Sequence, residues 1–305
     1  MQFLQLSHEQ KHASARRRRS VVEYHVLNLG AGVQSTTLYL MFMKGMITPQ
    51  LDFAIFADTQ DEPQEVYKHL EWLESLGGPK IMRVTAGKLS TAIVSGESIW
   101  KQRWISIPAF TSSPLDRQKE GRLQRQCSRD YKITPILQAI RRQILGLAPG
   151  RSPRKGVLIH QYIGISLDEA GRAGRIARQK RAKYLRVNFP LIERSMARQH
   201  CIELLEQWCP HRVPKSACKY CPFHDDAEWA RQKREDPAAF AESCAIDEAL
   251  RSPAVTANRN RKNTQPMYLH RSLQPLVQIN FDAKPEPAKQ SWLGFSRECL
   301  GVCGV

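Results

Sequence analysis

Hydrophobic positions change their spacing several times along the chain, and each change marks an element. In His25-Val26-Leu27-Asn28-Leu29, the residues Val26, Leu27 and Leu29 make the short apolar run of a buried strand. The run breaks into Gly30-Ala31-Gly32-Val33-Gln34-Ser35-Thr36-Thr37, with glycines for positive φ and close backbone approach, then hydroxyls where a helix opens. A second apolar run, Leu51 to Ala57, predicts a second strand and stops at Asp58-Thr59-Gln60-Asp61-Glu62-Pro63. From Gln64 to Leu76, the residues Val66, Leu70, Leu73 and Leu76 recur at helical spacing. Val157 to Ile165 reads as another strand. Ser195 to Trp208 reads as a helix whose apolar side carries Ala197, Cys201, Leu204, Leu205 and Trp208. Phe240, Cys244, Ile246 and Leu250 mark a further helix, with Cys244 as a core residue. Ala148 to Lys155 and Ser252 to Gln265 are rich in Pro, Ser, Asn, Arg and Lys and read as exposed loops.

A glycine turn between strand and helix is a phosphate cradle, because the first N–H groups of the helix are unpaired and its dipole favours an anion. A dinucleotide loop would read Gly-x-Gly-x-x-Gly, and here the last position is Ser35. The order strand, Gly/Ser loop, helix, strand, Asp-Thr-x-x-Glu, helix instead resembles the PP-loop ATP pyrophosphatases. That adenine nucleotide alpha hydrolase-like group includes sulfonucleotide reductases, tRNA thiolation enzymes and DNA phosphorothioation enzymes. The family loop is usually Ser-Gly-Gly-x-Asp-Ser, and this chain has the variant Gly-Ala-Gly-Val-Gln-Ser, with Gln34 in place of the aspartate. The resemblance implies an α/β fold of PP-loop type: an open, mostly parallel sheet with flanking helices, plus a smaller helical cysteine-bearing C-terminal region. It implies ATP held by Asn28, Gly30, Gly32, Gln34, Ser35, Thr36, Asp58, Arg129 and Arg175.

Eight cysteines change the picture. No apolar run approaches the length of a membrane span, and Arg16 to Arg19 precede no signal-like stretch, so the expected setting is cytoplasmic, with no membrane partner. There, clustered cysteines bind metal or do redox chemistry. Cys218-Lys219-Tyr220-Cys221-Pro222 lets two thiolates grip one metal centre. Cys127 is the third candidate, and Cys201 or Cys209 the fourth. Ser195 to Phe223 resembles phage and bacterial proteins of the phosphoadenosine phosphosulfate reductase-like group, which implies Cys201. Four thiolates suit an iron-sulfur cluster, with structural zinc as the alternative.

The tail, Glu298-Cys299-Leu300-Gly301-Val302-Cys303-Gly304-Val305, is similar to the Glu-Cys-x-x-x-Cys-Gly ending of that same group. The resemblance makes Cys303 or Cys299 an attacking thiol or persulfide carrier. After the Val157 strand comes Ser166-Leu167-Asp168-Glu169-Ala170-Gly171-Arg172-Ala173-Gly174-Arg175, at the strand end where an open sheet places ligands. Arg172 and Arg175 suit a triphosphate or leaving pyrophosphate. Asp58, Asp168 or Glu169 suit Mg²⁺ or the ribose.

A chain of 305 residues accommodates one large α/β domain and an appendage. The expected division is a basic mobile arm at 1–20, a nucleotide domain at 21–192, and the cysteine-bearing region with its tail at 193–305. A net charge of +17 favours a polyanionic partner. No motif separates tRNA from DNA. The reading that uses every feature is an ATP-dependent, adenylating sulfurtransferase acting on nucleic acid, supplied by a cluster, a cysteine persulfide or a donor such as a cysteine desulfurase. The alternatives are a sulfonucleotide reductase and a non-enzymatic nucleic-acid-binding protein with a structural or redox-sensing metal site. The oligomeric state is left open.

Overall fold

Buried apolar runs with β-branched residues fold as parallel strands when both faces are covered by helices, and the first half of the chain follows this rule. The computed structural model describes residues 21–95, 107–112, 120–256 and 265–281. β1 (Val22–Leu29) passes through the glycine loop into α1 (Val33–Met43), then β2 (Phe53–Asp58), α2 (Gln64–Ser75), β3 (Lys80–Thr85) and α3 (Leu89–Val94). Two short strands follow, β4 (Phe110–Ser112) and β5 (Glu120–Arg122). Next, α4 (Thr134–Ala139) is flanked by wide π-helical turns at Ser128–Ile133 and Ile140–Ile144. β6 (Val157–Ile163) leads through a 3-10 turn, Leu167–Glu169, to α5 (Ala170–Ala177), β7 (Leu185–Asn188) and α6 (Pro190–Glu193). α7 (Arg198–Trp208), α8 (Asp226–Glu235), α9 (Pro237–Ala249), α10 (Pro253–Thr256) and β8 (Met267–Tyr268) complete the order.

The main sheet is five-stranded and all parallel, in the order β3-β2-β1-β6-β7, as in an open α/β fold. β1 is central, with Val26 beside Phe53 on one side and Gln161 on the other. α1 is buried on every face from Val33 to Phe42, so it reads as apolar all round instead of amphipathic. One core joins β1, α1 and α2 to Cys201, Leu205 and Val213. A second joins Leu89, Ile107 and Tyr131 to Cys218, Trp229 and Met267. Each core draws on residues from both sides of the expected boundary at 192. No described helix is long and apolar enough to cross a membrane.

Local details differ from the periodicity. α2 stops at Ser75, leaving Leu76 exposed beyond its last turn. α7 starts at Arg198, because Ser195 takes φ 55° and Asp168 Oδ1 accepts the Arg198 N–H (3.0 Å) at the new first turn. The antiparallel sheet β5-β4-β8 is built from strands of two or three residues, too short to show a period. Cys244 is half-buried at the edge of the second core. Cys299, Cys303 and the arm at 1–20 lie outside the described residues.

Candidate functional site

The strand order reverses between β1 and β6, and an open parallel sheet forms a crevice outside the carboxyl ends of the strands at such a point. Gly30–Thr37 leave β1 there, and Gly164–Glu169 leave β6 beside them. The glycine loop is closed by its own serine: the Gly30 N–H donates to Ser35 Oγ (3.1 Å), and the Ser35 hydroxyl donates to Gly32 O (3.2 Å). The positive φ of the loop falls on Ala31 (55°), a strained position of the kind that clusters at functional sites. Gly32 has φ −106° and is small for another reason, since a Cβ there would stand 3.0 Å from Ser216 Cβ. The 213–217 segment therefore packs directly on the loop.

Gln34 is buried and its amide is used at both ends. Its Nε2 donates to Glu169 Oε2 (3.1 Å), and its Oε1 accepts from Arg198 Nη1 (3.0 Å). Arg172 Nη1 donates to Glu169 Oε1 (3.1 Å). Burial, partly offset by Arg172, holds the Glu169 carboxyl above the usual range. Gln34, Glu169, Arg172 and Arg198 thus form one network across the crevice, with Asp168 tied in at the start of α7. Asn28 Oδ1 accepts from Gln161 Nε2 (3.4 Å) on β6. At the end of β2, Asp58 Oδ1 accepts from Gln60 N (2.7 Å) and Tyr67 OH (2.8 Å). Arg175 and Arg129 are exposed, on α5 and on the π-helical turn.

Beside the crevice lies a cavity of about 810 Å³, within the range of small-molecule sites. Val33, the first residue of α1, forms part of its wall with Arg198, His211, Arg212, Lys215 and Arg231. Asp225 and Glu228 are the facing acids, and Arg231 is already paired with Glu65 and Glu228.

Thr36 is linked to this cavity by two histidines. Thr36 Oγ1 lies 2.9 Å from His69 Nε2, and His69 Nδ1 lies 2.8 Å from His211 Nε2. Burial first, then His211, depresses the His69 pKa to about 3, and burial with Lys215 depresses that of His224 to about 4. Both rings are neutral in the folded chain, whereas the unfolded chain takes up protons below about 6.5. Stability is therefore full above that pH and falls as pH drops towards 4, by up to about 1.4 kcal/mol per pH unit for each ring. His69→Gln is expected to lower that slope by up to one proton in denaturant melts at pH 6.5, 5.5 and 4.5; an unchanged slope would refute the assignment.

The cysteines divide between the two cores. Cys127, Cys218 and Cys221 border one small cavity of about 20 Å³ together with Thr59, Arg125 and Lys132. Cys201 is fully buried in the other core, where burial raises its thiol pKa to about 11. Cys209 lines the large cavity, and burial raises its thiol likewise to about 11. As placed, the four expected ligands do not meet, and among the described residues no three His, Cys, Asp or Glu side chains stand close enough to hold a metal ion. The residues so arranged do not fit a four-thiolate cluster or a tetrahedral zinc.

The sequence pattern did not single out Gly164, Ser216, Arg198, His69, His211, Glu62 or Lys132. Only the motif Gly164-Ile165-Ser166 at a strand end pointed towards one of them. No protein-family model matches the chain, and no curated protein matches it significantly.

Proposed function

We propose that this chain is an adenylating enzyme of the PP-loop type that binds ATP at the β1–β6 crevice and transfers sulfur to nucleic acid. One observation carries the reading. A serine-closed glycine loop at the start of a buried helix meets a crossing network of Gln34, Glu169, Arg172 and Arg198 at the switch point, beside a cavity of about 810 Å³. In this reading the loop and the α1 N-terminus hold the phosphates, and Arg198, Arg212 and Lys215 offset their charge. Asp58 and Asp168 face the Mg²⁺ that travels with the nucleotide. Thr36, Arg172 and Arg175 serve the leaving pyrophosphate.

The chemistry is displacement at phosphorus, then at carbon. An oxygen of the acceptor attacks the α-phosphorus, and the bond to pyrophosphate breaks. Reduced sulfur then attacks the activated carbon, and AMP leaves with the acceptor's oxygen. Positive groups fixed around the phosphates act where charge builds as the bridging bond breaks. The net charge of +17 and the exposed Arg122, Arg125 and Arg129 near the three-cysteine cavity support a nucleic-acid acceptor.

The test is ATP cleavage by the whole chain with tRNA or DNA. AMP and pyrophosphate in equal amounts are expected. ADP and phosphate, or no nucleotide binding, would overturn the reading, and sulfite released from adenylyl sulfate without pyrophosphate would replace it with a reductase. Ser35→Ala removes both hydrogen bonds that close the loop. It should weaken ATP binding about tenfold, about 1.4 kcal/mol, in calorimetric titration. Unchanged affinity would remove the loop from the site.

A further inference from the structure

The buried polar groups beside the three-cysteine cavity have no part in holding ATP. Glu62 and Lys132 form an ion pair (2.8 Å) with side chains 0% and 4% exposed. Glu62 Oε1 also lies 3.3 Å from Thr59 Oγ1 and 3.9 Å from Cys218 Sγ, and Thr59 Oγ1 lies 3.3 Å from the same sulfur. Glu62 Oε2, equally buried, accepts no hydrogen bond. A charged pair is costly to bury, and a buried carboxylate oxygen with no donor adds to the cost, so the arrangement points to chemistry at the thiol it surrounds. The cavity that Cys218 shares with Cys127, Cys221 and Lys132 measures about 20 Å³. Such a space takes about one water-sized atom, and no larger group.

We propose that Cys218 is a sulfur carrier: it takes one sulfane sulfur as a persulfide, with the outer sulfur lodged in this cavity and its charge balanced by Lys132. The inference rests on the sulfur-transfer reading and gives that reading its carrier. Loading is persulfide exchange. Glu62 accepts the Cys218 proton, the thiolate attacks the outer sulfur of a donor persulfide or polysulfide, and the donor's S–S bond breaks. The donor leaves as a thiolate and takes the proton, with no net oxidation. In delivery, the outer sulfur displaces AMP and joins the activated carbon. The Cys221 thiolate then attacks Cys218 Sγ and breaks the S–S bond, which frees the thio product and leaves a Cys218–Cys221 disulfide. The sulfane sulfur has gained the two electrons that the pair of thiols has lost, and an external dithiol resets the pair. The Cys-x-x-Cys spacing, with Cys221 N donating to Cys218 O (3.0 Å), is the turn that such a pair requires.

The experiment loads the whole reduced chain with inorganic polysulfide under anaerobic conditions, removes the excess, alkylates and maps masses by peptide. The expected result is a gain of about 32 Da, one sulfur, on the Cys218 peptide, with none on the peptides of Cys209 and Cys244. Cys221→Ser changes a half-buried residue and should keep the Cys218 persulfide at least about ten times longer, because the resolving thiol is gone. Absence of the added sulfur, or equal labelling of Cys209 and Cys244, would overturn the proposal. So would tightly bound zinc or iron that is lost in Cys127→Ser while no sulfur is taken up. The readout needs neither ATP nor nucleic acid. Sulfur uptake without ATP-dependent pyrophosphate release upholds the carrier and overturns the adenylation reading; pyrophosphate release without sulfur uptake does the reverse.

Discussion

Gly164→Ala is expected to lower stability by about 3 kcal/mol and to abolish nucleotide binding, because one methyl group there has nowhere to go. A Cβ built on Gly164 stands 2.7 Å from Ser35 N and 2.9 Å from both Gln34 C and Ser35 Cα. These are backbone atoms, not the ends of flexible side chains. Neither neighbour is free to retreat: α1 is buried on every face, and β6 is held in register with β1 from Val22–Val157 to Asn28–Ile163. Relief would have to come from prising the α1 N-terminus off the strand end, which opens the loop that Ser35 closes. Gly171→Ala is the control. It lies near the start of α5 with nothing within 4 Å of its Cβ, so it should be neutral or stabilising by up to about 1 kcal/mol. Thermal melts of the two variants should differ by roughly 5–10 °C. A Gly164→Ala protein that melts with the wild type would mean that strand and helix do not press together as described.

The same glycine shows where sequence reading stopped. β1, the glycine loop, α1, β2 and α2 were legible because each is a local event: an apolar run, a breaker, then a 3.6-residue period, all within a few residues. The crevice was legible in outline, since Ser35 and Glu169 sit at strand ends. What joins the two sides was not. Gln34 bridges residues more than 130 positions away, and no spacing within one segment announces that its amide meets Glu169 and Arg198. His69 and His211 were invisible for the same reason. Ser195 and Ala197 carried a helical pattern, but a contact with distant Asp168 fixed the start of α7 three residues after Ser195. Cys201 sat on the correct apolar face of its helix. That face turned out to belong to the core under α1, a choice made by the packing of α7 on α1 and not by periodicity.

Lys132→Met is expected to cost about 3–5 kcal/mol, the largest loss from any single side chain considered, because it strands a carboxylate in the interior. The π-helical turn Ser128–Ile133 directs Lys132 inward along with Asp130 and Tyr131, so its ammonium has no route to solvent. Removing it leaves Glu62 with only Thr59 and the Cys218 thiol at Oε1 and nothing at Oε2. The carboxylate must then stay charged without a counter-ion or take up a proton, and either outcome costs stability. The double variant Lys132→Met/Glu62→Leu removes both charges and should recover most of the loss, since a buried ion pair contributes little over apolar groups of similar size. Urea melts of the two singles and the double close the cycle, and a double variant as unstable as Lys132→Met would show that the cost lies in packing. The recovered fold also decides what the pair is for. If Glu62 and Lys132 only hold the 128–133 turn in place, the double variant will load sulfur on Cys218 as the wild type does. If they ready the thiol and balance the outer sulfur, it will fold well and load none.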